Sequence, residues 1–111
     1  MLVVDDEQPM RAFIVRNLEA RGYEAIGAAT GFEALALFQQ REPDLVILDL
    51  MMPVMNGFEF IEELQKKPEW RSIPIVVITS KELTHADRLR LNGGVQKLIE
   101  KKSLDQNDLF K

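Results

Sequence analysis

Short apolar runs alternate with amphipathic segments five times along the 111 residues of the chain, and this alternation constrains the fold more than any other feature. Two of the runs, LVILD at residues 45–49 and IPIVVITS at residues 73–80, show no alternation of apolar with polar residues. A strand of that kind is buried on both faces, as it is in a parallel sheet covered by helices. The sequence therefore predicts an α/β domain with a five-stranded parallel sheet and helices on both faces.

Local signals mark where the predicted helices begin and end. Pro9 suits the first turn of the first helix, and Gly22 suits its C-terminal cap. Capping-box patterns that begin at Thr30 and Thr84 predict the starts of two further helices. Trp70 lies between two prolines, and we expect it to pack over a loop. The other predicted strands are LVV (2–4), YEAIGAA (23–29) and VQKLIEK (95–101), and the remaining helices begin near Phe58 and Ser103.

Composition and charge argue against several classes of protein. The chain has no cysteine, so it forms neither disulfides nor thiolate metal sites. No apolar run approaches the roughly 20 residues that span a bilayer, and the start of the chain lacks the basic segment of a signal peptide. A net charge of −4 argues against direct contact with nucleic acid, which usually requires a basic patch. We therefore expect a cytoplasmic protein that binds neither membrane nor nucleic acid directly.

Chemically active side chains follow the predicted strands at the point where each strand ends. Asp5 and Asp6 follow the first strand, and Asp49 ends the third. Thr79 lies at the end of the fourth strand and Lys101 at the end of the fifth. The carboxyl ends of parallel strands meet at one edge of the sheet, where such folds bind their ligands. The order of elements therefore predicts that three carboxylates, a hydroxyl and an amine meet at one edge.

Such a group of side chains suits phosphoryl chemistry. Clustered carboxylates repel one another, and a hard cation with oxygen ligands, Mg²⁺ or Ca²⁺, relieves that repulsion. A carboxylate also acts as a nucleophile toward a phosphoryl group and forms an aspartyl-phosphate. Transfer of that group needs a metal ion, a cationic side chain and a hydrogen-bond donor around the phosphoryl oxygens, and the predicted cluster offers all three.

Each of these residues also has an ordinary structural interpretation. An aspartate at a strand end usually serves a turn or a helix cap, so Asp5 could simply cap the first helix. Thr79 could be an ordinary β-branched strand residue, and Lys101 could be one of several surface lysines. The presence of three acids at neighbouring strand ends favours a functional site over these separate interpretations.

Three motifs resemble those of a known family. VVDDE at residues 3–7 is similar to the acidic pair that follows its first strand, and LVILDLMMPVMNG at residues 45–57 is similar to its phosphoacceptor strand and loop. VVITS at residues 76–80 is similar to its strand that ends in a hydroxyl residue. The intervals between the acceptor, the hydroxyl residue and the lysine are also typical. Over almost its full length, the chain resembles the receiver domain of two-component response regulators.

The resemblance implies a fold and a role for each site residue. The fold is flavodoxin-like, doubly wound, with sheet order 2-1-3-4-5. Asp49 accepts a phosphoryl group from a histidine kinase or a histidine phosphotransfer protein, and Thr79 and Lys101 contact the phosphoryl oxygens. Pro53 and Gly57 shape the loop after the acceptor strand. The domain assists only its own phosphorylation and hydrolysis and is not otherwise an enzyme. Mg²⁺ is held by the side chains of Asp6 and Asp49 and by the backbone carbonyl of Met51, and Asp5 holds it through water.

The chain departs from the family pattern at several positions. Lys102 stands where most receivers have a proline, and Leu98 stands where most have the aromatic residue that switches conformation. The last helix stops at Lys111, where the family usually continues for further turns. We therefore expect residues 1–111 to be a single receiver domain with a truncated last helix, taken from a hybrid sensor kinase or a multidomain regulator. An output domain in the same chain or a homodimer would then give the response.

Two other functions are compatible with the predicted fold. A degenerate receiver would act as an interaction module that needs no phosphorylation, but the intact acidic pair, acceptor, hydroxyl and lysine argue against it. A flavodoxin-like cofactor binder would need a phosphate-binding loop with glycine after the first strand. DDEQPM at residues 5–10 has acids there and no glycine, which disfavours a bound phosphate unless a metal ion intervenes.

Overall fold

A computed structural model of the chain describes residues 1–79, 83–91, 95 and 97–100. Lys101 and the predicted last helix lie outside these residues. Among the helices that are described, none has the length and apolar character needed to cross a membrane. The strands are β1 (Leu2–Val4), β2 (Ile26–Ala28), β3 (Val46–Leu48), β4 (Ile75–Thr79) and β5 (Lys97–Glu100); the helices are α1 (Gln8–Ala20), α2 (Gly31–Gln40), α3 (Gly57–Gln65) and α4 (His85–Leu91), with a 3₁₀ turn at Pro68–Trp70.

The five strands form one parallel sheet of order β2-β1-β3-β4-β5, which confirms the predicted flavodoxin-like topology. Val4 at the end of β1 is level with Leu48 at the end of β3. Leu48 is in turn level with Val77 of β4, which continues for two more residues. The segments that follow β1 and β3 therefore leave the sheet side by side, next to the end of β4.

Two apolar clusters cover the two faces of the sheet, as expected for a doubly wound fold. Side chains alternate between the faces along each strand, so Val3 and Ile47 lie in one cluster and their strand neighbours lie in the other. Helix α1 covers the first face with Ile14 and Leu18. The second face is covered by α2, α3 and α4, whose buried residues there are Ala34, Phe38, Phe58, Phe60, Ile61, Leu64 and Leu91.

Trp70 belongs to the core, and the expectation that it packs over a loop is wrong. Its side chain is only 6% exposed, and its ring centroid lies 5.0 Å from that of Phe38 in α2. The 3₁₀ turn at Pro68–Trp70 directs the indole inward, where a large aromatic surface is removed from water. The indole N–H donates to Oε1 of Glu42 at 3.2 Å, so the polar end of the ring is satisfied at the rim of the core.

The predicted capping residues begin their helices as the sequence indicates. Thr30 Oγ1 accepts the amide of Glu33 at 3.0 Å before α2. Thr84 Oγ1 accepts the amide of Asp87 at 3.1 Å before α4, and the Asp87 carboxylate accepts the Thr84 amide at 3.0 Å. These bonds satisfy first-turn amides that have no partner within the helix. After α1, Gly22 adopts a φ of 89°, as a residue beyond a helix C-cap often does.

Candidate functional site

Three carboxylates meet at the carboxyl edge of the sheet. One oxygen from each of Asp5, Asp6 and Asp49 lies within 4.8 Å of the others. Asp5 and Asp49 are each only 2% exposed, whereas Asp6 faces solvent. The register of β1 and β3 brings these residues together, because Asp5 and Asp49 directly follow two residues that lie level in the sheet, and Asp6 is the next residue after Asp5. The structure thus places the predicted acidic cluster where the sequence expects it.

Asp49 is held firmly at the end of β3. Its amide donates to the carbonyl of Val4 at 2.9 Å, which extends the β1–β3 ladder by one residue. Its carboxylate oxygen Oδ1 accepts the amide of Met51 at 3.1 Å, and this bond limits rotation of the side chain. The Met51 side chain is 53% exposed and lies outside the core. A nucleophile fixed by its backbone and by its own carboxylate is oriented before any reaction partner arrives.

Asp5 is held by its backbone and by its side chain. Its amide donates to the carbonyl of Ala28 at 3.0 Å, and its Oδ1 accepts the amide of Glu7 at 2.9 Å. Glu7 is the N-cap residue of α1, and its own side chain makes no capping bond. Asp5 therefore supports the turn into α1 without being its N-cap residue, and it also contributes an oxygen to the acidic cluster, while its role as a metal ligand stays a prediction.

Gly57 allows the loop after β3 to fold back against the acceptor strand. A Cβ atom on Gly57 would lie 2.7 Å from the carbonyl oxygen of Asp49 and 2.7 Å from the Cα of Leu50, which is too close for any side chain. The Gly57 amide donates to the carbonyl of Leu50 at 3.0 Å. The prediction that Gly57 shapes this loop is consistent with that packing, and the glycine is required by close approach.

A tight turn at Pro53 completes the loop. The amide of Met55 donates to the carbonyl of Pro53 at 2.8 Å, an i to i+2 bond that defines a γ-turn. Val54 at its centre has a φ of 68° and is 87% exposed. A reciprocal capping box between Asn56 and Glu59 then begins α3. The pattern N-x-x-E at residues 56–59 could have predicted this box, whereas nothing in the sequence indicates the strained backbone of Val54.

Thr79 lies at the same edge of the sheet as Asp49. It is the last residue of β4 and is 1% exposed. Because Leu48 is level with Val77, Thr79 lies two residues further toward the carboxyl edge on the neighbouring strand. Lys101 lies outside the described residues, so its place at the site stays a prediction.

The donor set fits a hard divalent cation. Magnesium binds oxygen ligands and usually retains several waters, so one or two protein carboxylates and an open side are sufficient. Asp5 and Asp49 line the buried side of the cluster and Asp6 lies on its solvent side. Three carboxylates so close together repel one another, and a bound cation relieves that repulsion. The structure describes the amide contact of Met51, and metal ligation by its carbonyl stays a prediction.

Arg11 is a residue near the site that sequence reasoning missed. Its guanidinium Nη1 donates to the backbone carbonyl of Asp5 at 2.7 Å. Its stem lies across Gly27 of β2, where an added Cβ would be 2.9 Å from Arg11 Cδ. No local signal in the sequence reports a contact between a helix side chain and the backbone of a strand end.

Comparison with known proteins supports the family suggested by the motifs. A family model for the response regulator receiver domain matches residues 1–111. A relative from Cyanophora paradoxa, named "Probable transcriptional regulator ycf27", is 44% identical over 80 residues. That alignment covers 72% of this chain and 32% of the relative, so the chain spans about a third of the length of the curated relatives it matches.

Solved structures of similar proteins have the same fold. The N-terminal domain of a response regulator receiver protein from Methanoculleus marisnigri JR1 is 36% identical, with a TM-score of 0.84 over 92% of this chain and 83% of that one. The chemotaxis protein CheY4 of Vibrio cholerae is 32% identical, with a TM-score of 0.88 over 97% of this chain and 89% of that one. The motifs, the sheet order and the full-length match agree, and the chain belongs to the response regulator receiver domain family.

Proposed function

We propose that the chain is a phosphoacceptor in a two-component phosphorelay, with Asp49 as the acceptor. The observation that carries this proposal is the packing of Asp49, 2% exposed and held at the end of β3, against the carboxylates of Asp5 and Asp6. A carboxylate oxygen of Asp49 attacks the phosphorus of a phosphohistidine. The P–N bond breaks, and the imidazole nitrogen leaves with its electron pair. The donor is a histidine kinase or a histidine phosphotransfer protein.

Mg²⁺ is the cofactor that the proposed site suits best. The side chains of Asp5, Asp6 and Asp49 and the backbone carbonyl of Met51 would hold it. When bound, the ion neutralises charge on the acidic cluster and on the phosphoryl oxygens. This assignment is supported by the mutual distances of the carboxylates and by the absence of cysteine from the sequence.

Thr79 and Lys101 complete the proposed site. The Thr79 hydroxyl can donate a hydrogen bond to one phosphoryl oxygen, and its position at the end of β4 supports this role. The Lys101 ammonium pairs with another oxygen, as its place in the family motif indicates. The domain assists only the formation and hydrolysis of its own aspartyl-phosphate, and it turns over no separate substrate.

We infer that phosphorylation changes a surface of this domain and that the output is given elsewhere. The 80 aligned residues cover only 32% of the relative from Cyanophora paradoxa, which is named as a probable transcriptional regulator. We infer that the chain acts in the cytoplasm, through an output domain in the same polypeptide or through a homodimer. A receiver that works without phosphorylation is disfavoured, because such a protein has no need for Asp5, Asp6 and Asp49 to cluster.

Intact mass tests the proposal. The wild-type protein should gain the mass of one phosphoryl group when it is incubated with Mg²⁺ and acetyl phosphate, and Asp49→Asn should gain none. Asp44→Asn is the matched control, because Asp44 precedes the same strand but has an 86% exposed side chain, and it should be phosphorylated normally. A mass gain that survives Asp49→Asn would refute the assignment of the acceptor.

A further inference from the structure

Arg11 joins three elements beside Asp5, one of the three acids of the cluster. It belongs to α1, its stem crosses β2 over Gly27, and its guanidinium reaches the carbonyl of Asp5 beyond β1. The side chain is half-buried, so its conformation is restricted along its length. A hydrogen bond from a charged donor to a carbonyl is stronger than one between neutral groups.

The Asp5 carbonyl is the atom whose position decides where the next acid points. The carbonyl of Asp5 and the amide of Asp6 belong to one planar peptide unit. A bond that fixes the carbonyl therefore fixes the orientation of the plane that connects the two acids. The side chain of Asp6 is exposed and makes no hydrogen bond or ion pair within the described residues, so its own contacts do not hold it in place.

We propose that Arg11 is a positioning residue, which orients the Asp5–Asp6 peptide so that both carboxylates face one Mg²⁺ ion. The inference deepens the proposed function and rests on its metal site. Gly27 is the second part of this arrangement, because an added Cβ would lie 2.9 Å from Arg11 Cδ and the Arg11 stem would have to shift. A side chain at position 27 would displace the Arg11 stem and so break the hydrogen bond to the Asp5 carbonyl.

The charge of Arg11 opposes this positioning effect. A guanidinium near the cluster repels a divalent cation, so removal of its charge alone would tighten Mg²⁺ binding. Removal of its hydrogen bond leaves the Asp5–Asp6 peptide free to turn and weakens binding. The two effects have opposite signs, and the direction of the change in affinity identifies which one dominates.

Mg²⁺ titrations followed by amide NMR test the inference on wild type, Arg11→Met and Arg11→Lys. Methionine keeps an apolar stem over Gly27 and removes the donor, so its Kd for Mg²⁺ should rise about tenfold, the usual effect of losing a partner that orients a ligand. Lysine restores a charged donor, and its Kd should lie between the two. Arg16→Met removes the same charge from an exposed position of α1 and should leave the Kd near that of wild type.

A double-mutant cycle tests the role of Gly27. Gly27→Ala should weaken Mg²⁺ binding when Arg11 is present and should have little effect in an Arg11→Ala background, where no stem is displaced. Melting of each variant without metal shows whether it folds. If Arg11→Met unfolded, Arg11→Leu, which also lacks a donor, would replace it in the titrations.

Two outcomes would overturn different claims. If wild type binds Mg²⁺ and Arg11→Met binds it equally well or more tightly, the positioning role is wrong and the proposed function stands. If wild type shows no Mg²⁺ binding at all, the metal site itself is wrong, and the positioning role falls with it.

Discussion

At the scale of single residues, Val54 is the clearest case of local strain. A β-branched residue rarely adopts a positive φ, and Val54 has a φ of 68° at the centre of a γ-turn. Its side chain is 87% exposed, so burial gives little in return. The strain persists because Gly57 and the capping box of α3 fix the rest of the loop.

Replacement of Val54 by a residue that tolerates positive φ should stabilise the protein. We predict that Val54→Asn raises the free energy of unfolding by about 1 kcal/mol, since such strain typically costs about 1–3 kcal/mol. Gly22→Ala is the control with the opposite sign, because Gly22 has a φ of 89° and an added Cβ would touch nothing. It should lower stability by about 1 kcal/mol through the backbone alone. Urea unfolding measures both, and a less stable Val54→Asn would contradict the strain argument.

Gly57→Ala should impair phosphorylation as well as stability. The new Cβ would clash with the backbone at Asp49 and Leu50, which cannot move without shifting the acceptor. We expect a slower reaction with acetyl phosphate, measured as the rate of phosphate gain by intact mass. Gly22→Ala is again the control, because it should be destabilised yet phosphorylated at the wild-type rate. Equal rates in Gly57→Ala and wild type would show that the close packing does not position Asp49.

Single residues should also set the lifetime of the proposed phosphorylated state. In the family, the residues two positions after the acceptor and two after the hydroxyl residue flank the path of the hydrolytic water, and here they are Met51 and Lys81, the latter outside the described residues. A thioether is a weak acceptor and an ammonium only donates, so neither orients water well. We predict slow loss of phosphate, which Met51→Asn with Lys81→Glu should accelerate. An unchanged rate in the double variant would count against this explanation.

At the scale of elements, local patterns predicted the strands, the caps and the acidic edge. Thr30 and Thr84 begin their helices because a cap depends on residues only three positions away. Asp5 and Asp49 meet because parallel strands end at one edge. Contacts between elements were not predictable in the same way. Trp70 is buried against Phe38, and Arg11 crosses β2 to reach Asp5, and neither contact leaves a local signal.

Helix α4 is the element that we expect to respond to phosphorylation. It is short, and Arg90 connects it to α3. The Arg90 guanidinium donates a 2.8 Å hydrogen bond to Glu62, and its Cζ lies 4.6 Å from the centre of the Phe58 ring. Leu98 in β5 is half-buried against the core and has no polar group that would favour a change between buried and exposed positions. A switch needs an element with two arrangements, and α4 with the loop after Thr79 is the better candidate.

Amide exchange with and without beryllofluoride bound at Asp49 tests the response of α4. We predict that protection changes mainly in residues 80–92, which include α4 and segments outside the described residues. Changes centred on Leu98 and β5, with residues 80–92 unaffected, would contradict it. Arg90→Lys should weaken the contact between α4 and α3, because lysine does not reproduce the two guanidinium hydrogen bonds to the Glu62 carboxylate. Amide exchange in α4 of the unphosphorylated protein should therefore increase.

At the scale of the whole molecule, Mg²⁺ should stabilise the fold. Asp49 meets Asp5 and Asp6 only in the folded chain, so an ion bound by all three shifts the equilibrium away from the unfolded state. An excess of 100 times the Kd should add about 2.7 kcal/mol. Asp6→Asn should reduce this response and raise the stability of the metal-free protein, because it removes one repelling charge. Identical melting curves in chelator and in excess Mg²⁺ would show that the cluster holds no ion.

The location of the phosphoryl group tests the central claim most directly. Borohydride reduces an aspartyl-phosphate to homoserine, so peptide mass spectrometry of the treated protein reads the acceptor position. After incubation with Mg²⁺ and a phosphodonor, homoserine should appear at residue 49 and at no other aspartate, including the neighbouring Asp5 and Asp6. Homoserine at another position, or a phosphorylated protein in which residue 49 remains aspartate, would contradict the account.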